Sequence, residues 1–387
     1  MRKSQIVACG LLCPLLLSGA GCSDSNASEE HSRTGFEPLW TTELTGNATQ
    51  DEGGWPRIPV VAQGLVLVGG RLGLAAFDTS SGREVWRVTP WPGGTAMWGY
   101  IAESDGRACT EDDPGIACVD IASGRVLWSR ALPGAAANCE TTIDAFAWYV
   151  GTDSHMVYAV DPSTGREIWA TDVNPGTHFS SRVFGIATSG DTLYVNTVRQ
   201  TQTTALPVVG DLIALDRQTG RILFTYTTST PNGGFQGAAT IVGRLAVMND
   251  AWGHGLVGID RFSGGEVWRT PVLPSGYINS DTRPSVQGDT AFAASSDTQV
   301  YSVNVKTGKI QWSTIGVPHG SLGSISVCKS LLLAVEFGAG NIIAVDRGTH
   351  ASWIVASVPR DVYSRIGVAG DVAYFELSNA LSAFRCS

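Results

Sequence analysis

The sequence predicts an all-β fold, an eight-bladed β-propeller of four-stranded antiparallel blades. Its ring is expected to close when an N-terminal strand completes the C-terminal blade. Three observations predict this. An eleven-residue pattern recurs along the chain; the stretches between copies carry short apolar runs at strand length; and the two ends hold complementary fragments of one further repeat.

The pattern is clearest over residues 159–169, where Ala159, Asp161, Thr164, Gly165 and Trp169 hold the fixed places. It reads as a strand end, a tight turn and the start of the next strand. Asp161 can fold its carboxylate onto the backbone N–H groups that follow it. Gly165 supplies a positive φ without steric cost, and Trp169 supplies a large apolar anchor. Earlier copies pair Asp78 with Trp86 and Asp120 with Trp128. Later ones pair Asp216 with Phe224, Asp260 with Trp268 and Asn304 with Trp312. The seventh copy, Asp346 with Trp353, is one residue short, and its glycine, Gly348, is displaced. From Trp86 onward the anchors stand 42, 41, 55, 44, 44 and 41 residues apart. A period of about 44 residues built from short strands and turns signals a propeller.

The eighth blade comes from both ends. Residues 366–375 and 381–385 supply three strands' worth of a blade without a Trp-bearing fourth, and Trp40 lies in a Trp-bearing strand without the three before it. Trp40 precedes Trp86 by 46 residues, which fits the period. Joining them ties both ends into one sheet and removes edges that would otherwise need protection.

The A-x-[DN]-x-x-[ST]-G-x-x-x-W pattern resembles the tryptophan-docking motif of the PQQ-like, quinoprotein-type propeller family. It also resembles the repeat of the lipoproteins that assemble outer-membrane β-barrels. The resemblance covers about residues 36–387. It implies the fold and leaves the activity to be argued from the site.

Met1, Arg2 and Lys3 followed by an apolar run to Gly21 read as a secretory signal, residues 1–21. Ser18 to Cys22 resemble a bacterial lipobox, with Gly19 where Leu is preferred, so Cys22 is the expected lipidation site. The polar stretch within residues 22–35 then reads as a tether, and residues 36–387 as the propeller. Cleavage after Ala20 to give a secreted soluble protein is the alternative. No later stretch approaches the ~20 apolar residues of a membrane-spanning helix. Loss of residues 1–21 leaves 24 basic against 35 acidic residues, a balance of −11. That acidity disfavours a nucleic-acid partner, since phosphate binding needs a basic surface.

Export permits disulfides. Cys109 and Cys118 flank a hairpin of blade 2, and Cys328 and Cys386 fall on one face of blades 7 and 8, so these are the expected pairs. Cys139 is left over. The CxxC spacing of structural zinc sites is absent, and no metal site is expected.

Taken in order, blade 1 spans about Trp55 to Trp86 and leads into an aromatic connection with Trp91, Trp98 and Tyr100. Blade 2 carries an acidic hairpin, and blade 3 is the most regular. Blade 4 is lengthened by residues 199–210, read as an inserted loop. Blade 5 carries Trp252 and His254 in the equivalent loop, and blade 6 opens with Tyr277.

The repeated Trp and Asp residues are structural. More informative are Arg57, Arg182, Arg283 and Arg365, near the start of the innermost strand in blades 1, 4, 6 and 8. Converging on a central funnel, they would hold an anionic group. The plainer reading is that each pairs locally with an acid such as Asp281 or Asp361 and fixes a loop. Trp98, Trp252 and Tyr277 give one face an aromatic character that suits partner binding, or else packing between loops. The histidines (His155, His178, His254 and His319) are scattered over different blades.

The favoured function is a non-enzymatic binding or scaffold protein in the cell envelope. It would be membrane-anchored through its lipid, work as a single monomeric ring and dock an envelope protein partner. A small-ligand sensor using the arginine funnel is one alternative. A PQQ-dependent dehydrogenase is another, and the resemblance implies for it a Ca²⁺ ion, a catalytic Asp and usually a vicinal cysteine pair. The chain has no vicinal cysteines, and Asp112, Asp113, Asp144 and Asp250 do not form a matching set. No cofactor is therefore expected.

Overall fold

The computed structural model describes residues 36–44, 58–70, 73–89, 100–112, 115–132, 134–135, 139–175, 181–200, 208–228, 233–250, 255–270, 283–315, 321–337, 340–357, 366–377 and 380–387. The chain divides into Met1–Thr34 and Gly35–Ser387, and every described residue belongs to the second unit.

The described strands form eight sheets of four strands each. Blade 1 is a meander of Val60–Ala62, Leu65–Gly70, Gly73–Asp78 and Glu84–Val88. Blades 2 to 7 repeat this order over residues 101–131, 142–172, 181–227, 235–269, 285–315 and 321–357. Blade 8 takes Gly367–Ala369, Val372–Leu377 and Ala380–Cys386 from the C-terminus. Its fourth strand is Phe36–Glu43, antiparallel to Ala380–Cys386 with Trp40 opposite Ala383. The ring closes as the two end fragments of the sequence require.

The middle strands of each blade are buried on both faces, which explains their continuous apolar runs, such as Leu65–Gly70 and Asn341–Asp346. The first strands of successive blades touch one another from blade 6 through blades 7, 8 and 1 to blade 5, and so surround the axis. Blade 4 departs from the loop expected over residues 199–210. Its second and third strands, Thr192–Gln200 and Val208–Asp216, stay paired out to Gln200 and Val208. Residues 199–200 and 208–210 of the expected loop therefore extend a hairpin, because each gains a ladder partner, while residues 201–207 lie outside the described residues.

The docking motif acts between blades. Asp78 Oδ1 accepts the N–H groups of Ser80 (3.1 Å) and Ser81 (2.8 Å), and Gly82 N–H donates to Asp78 O (2.9 Å). The glycine sits at φ +68°, and a Cβ there would lie 2.5 Å from the Trp40 ring of the preceding blade. Gly124 meets Trp86, Gly165 meets Trp128, Gly220 meets Trp169, Gly264 meets Phe224 and Gly308 meets Trp268 in the same way. The indole N–H groups of Trp40, Trp86, Trp128 and Trp169 donate to Thr79, Ile121, Pro162 and Arg217 carbonyls at 2.8–3.1 Å. Each of those acceptors follows a motif Asp or lies next to it in the turn, so the glycine fixes the approach and the carbonyl fixes the ring.

In blades 1 to 6 the fourth strand has a β-bulge just before its anchor, which skips one residue. The skipped side chains include Val85, Ile168, Leu223 and Val267, all exposed. Ile168 thus points out of the core that its apolar character suggests. A bulged outer strand pairs poorly with another chain, so these bulges blunt the exposed edge of each blade. In blade 7 the shift lies beyond the anchor, between Ile342 and Ile343, and Ala344 and Val345 pair without interruption with Trp353 and Ser352.

Both expected disulfides form. Cys109 and Cys118 are directly opposite in the hairpin of blade 2. Cys328 and Cys386 join blade 7 to the third strand of blade 8, Ala380–Cys386, fastening it to the ring. Cys139 is free and buried.

Candidate functional site at the channel wall

Of the four funnel arginines, Arg182 and Arg283 lie among the described residues. Arg57 and Arg365 fall outside them, as do Cys22, Trp98, Trp252 and Tyr277. Arg182, in the first strand of blade 4, is held by Asp153 of blade 3: Nε lies 2.7 Å from Oδ1 and Nη2 3.3 Å from Oδ2. Both side chains are about half exposed, so this fork fixes geometry more than it stabilises.

Arg283 precedes the first strand of blade 6, Ser285–Gln287, and its partner is Glu140. Glu140 enters from blade 3, where its N–H donates to Phe184 O (3.0 Å) and its carbonyl accepts from Ile186 N–H (2.8 Å). It thereby adds a parallel bridge to Gly185 of blade 4. Its side chain is 9% exposed. Oε1 accepts from Arg283 Nε, while Oε2 accepts Ala238 N–H at 2.9 Å and Arg283 N–H at 3.0 Å. Close backbone approach makes this reach feasible. A Cβ on Gly185 would lie 2.2 Å from Ala238 N, so only glycine lets the inner strands of blades 4 and 5 meet there. Arg283 is engaged by an acid from three blades away, whereas the plainer reading expected a local partner such as Asp281, which lies outside the described residues.

Sequence reasoning missed Glu140, since it lies outside the repeat and its partners are 98 and 143 positions distant. It also missed a set of buttressing arginines. Arg217, Arg261 and Arg347 follow the motif Asp of blades 4, 5 and 7. Each reaches the first turn of the blade before: Arg217 to Asp144 (2.9 Å), Arg261 to Ser189 (3.0 Å) and Arg347 to Gln287. The signal was present as the repeated Asp-Arg pair.

Three other buried acids are held within their own blades. Asp211 accepts from Arg199 Nε (2.7 Å) and Thr227 Oγ1 (2.5 Å), Asp250 from Arg269 and Gly234 N–H (3.1 Å), and Glu336 from Asn341 Nδ2 (2.6 Å). Burial, then the nearby Glu111 charge, pushes the Cys139 thiol well above its ordinary range, which leaves it a poor nucleophile. Among the described residues no three or more His, Cys, Asp and Glu side chains come together to hold a metal ion.

These features define a closed eight-bladed propeller of PQQ-like repeats with a self-paired inner wall. The family described as outer membrane protein assembly factor BamB matches residues 31–136 and 112–354, and the chain belongs to that family. No curated protein matches it. Among solved structures, BamB from Moraxella catarrhalis superposes with a TM-score of 0.68 at 14% identity, over 90% of this chain and 99% of that one. Sqt1 from Saccharomyces cerevisiae gives 0.67 at 11%, covering 91% and 100%. A europium-containing methanol dehydrogenase gives 0.66 at 13%, covering 90% and 93%. At such identities these likenesses establish the fold alone.

Proposed function

We propose that this chain is an exported, lipid-anchored propeller that works without catalysis, as a binding or scaffold protein of the cell envelope. The observation that carries the reading is the match to the assembly-factor family across residues 31–354. The rigid ring supports it. Anchors, the Cys328–Cys386 disulfide and the cross-blade arginines hold neighbouring sheets in fixed relation, so loops from several blades present one stable surface. A partner docks on such a surface by peptide or strand contacts. Cys22 carries the anchor, and residues 23–35 tether the ring to the membrane.

A redox role has less support. The sequence lacks the vicinal cysteines that the quinoprotein resemblance implies, and the described acids are dispersed and individually held. Cross-linking of the native protein in its own membranes, with Cys22→Ala as the unanchored control, tests the proposal. A stoichiometric envelope partner, lost or weakened in the control, is expected. Turnover of an alcohol by the purified protein supplied with quinone and Ca²⁺ would overturn it.

A further inference from the structure

The donors around Glu140 form a receptor in their own right. Ala238 N–H lies where the first strand of blade 5 leaves its ladder, between Gln236 and Thr240. Arg283 N–H lies ahead of the first strand of blade 6, also outside a ladder. Both N–H groups converge on one carboxylate oxygen and the Arg283 guanidinium takes the other. Two convergent amides and a guanidinium make a strong carboxylate site, because every bond is charge-assisted. No donor belongs to the blade that supplies Glu140. The carboxylate also joins blade 5 to blade 6, beside the direct bond that Thr240 Oγ1 donates to Pro284 O at 2.6 Å.

We infer that Ala238 and Arg283 form a carboxylate-binding site on the channel wall, which the chain fills with its own Glu140 as an internal ligand. This inference rests on the observed contacts of Glu140 with Ala238 and Arg283 and is independent of the envelope partner. Glu140 ties blade 3 to blades 5 and 6 and sets where blade 6 begins. An anion in solution meets Arg283 already engaged, and an acidic group of a partner reaches the site only by displacing Glu140.

Chemical rescue tests this. Thermal unfolding of purified Glu140→Ala is followed in sodium formate and in sodium chloride at equal ionic strength. The variant is expected to melt several degrees below the wild type, since two amides and a guanidinium lose their acceptor. Formate, but not chloride, should raise its Tm saturably, as a ligand of the folded state does. The wild type should not respond, and Glu140→Ala combined with Arg283→Ala should lose the rescue. An unchanged Tm in the single variant, no formate effect on it, or an equal effect on the wild type would overturn the inference. If Glu140→Ala does not fold, Glu140→Gln decides. Its amide still fills the site, so a lowered Tm indifferent to formate is expected, and a wild-type Tm or a response to formate would contradict it.

Discussion

His350 stacks on Trp312 with ring centroids 4.3 Å apart, in the place that glycine holds against the anchors of the preceding blades. Its φ is +60°, its N–H donates to Asp346 O at 2.8 Å, and its carbonyl accepts from Thr314 Oγ1 at 2.9 Å. Those are the bonds that Gly82 makes with Asp78 and Thr42, and Gly220 with Asp216 and Thr171. The short seventh copy keeps the turn by putting His350 in the left-handed position and leaving Gly348 two residues earlier at an ordinary φ. An imidazole face is then exchanged for the glycine contact.

This separates the turns by sensitivity. Gly165→Ala adds left-handed strain of about 1–2 kcal/mol and an overpacking cost of about 1–3 kcal/mol against Trp128. His350→Ala keeps its backbone and loses a stacking contact worth about 0.5–1.5 kcal/mol. Denaturant unfolding should rank Gly165→Ala as the more destabilised.

Neighbouring residues in the third blade's last strand should behave oppositely. Ile168 is skipped by the bulge and exposed, whereas Trp169 is 9% exposed and donates to Arg217 O. Ile168→Thr is expected to stay within about 0.5 kcal/mol of wild type. Trp169→Ala should cost about 3–5 kcal/mol, and paired urea melts check this.

The motif aspartates give the fold an acid limit. Hydroxyl and backbone donors from Ser80 and Ser81 hold Asp78 at about 2, and the Ser263 N–H and Arg244 hold Asp260 at about 2. Asp120, Asp216 and Asp346 are lowered by the same kinds of bond. The unfolded chain takes up protons first, near the ordinary aspartate value of about 3.9. The stabilisation is therefore complete above that range and is lost as pH falls toward 2. Blade 6 uses Asn304, whose Oδ1 accepts the same N–H groups without titrating. Tm measured from pH 6 to pH 2 (about that span) should fall, and Asp78→Asn should make the fall shallower.

The two disulfides should differ in weight. Cys328–Cys386 spans 58 residues and ties down the ring closure, and Cys109–Cys118 spans 9. Loop entropy predicts about 4 kcal/mol against about 2.5 kcal/mol. The Cys328→Ser, Cys386→Ser double variant should therefore melt below the Cys109→Ser, Cys118→Ser one.

The repeat made the fold legible, because each blade needs the same turn and the same anchor and so writes them into the sequence at a fixed period. Ring closure followed from Trp40 and the incomplete C-terminal repeat. His350 was hidden because the pattern seeks glycine, while the backbone needs only a residue that accepts positive φ. The extended hairpin of blade 4 was hidden because Arg199 and Gln200 carry no apolar strand signal, and strand pairing there is set by the partner strand. Glu140 was illegible for a further reason: its ligands are two backbone amides and one side chain brought together only by closing the ring.

The most direct measurement is quantitative cross-linking of the anchored protein in its own membranes, with the Cys22→Ala form beside it. The account predicts one envelope protein cross-linked in stoichiometric amount, through loops of the ring, and reduced in the unanchored form. Equal recovery of no stoichiometric partner from both forms would contradict the scaffold reading.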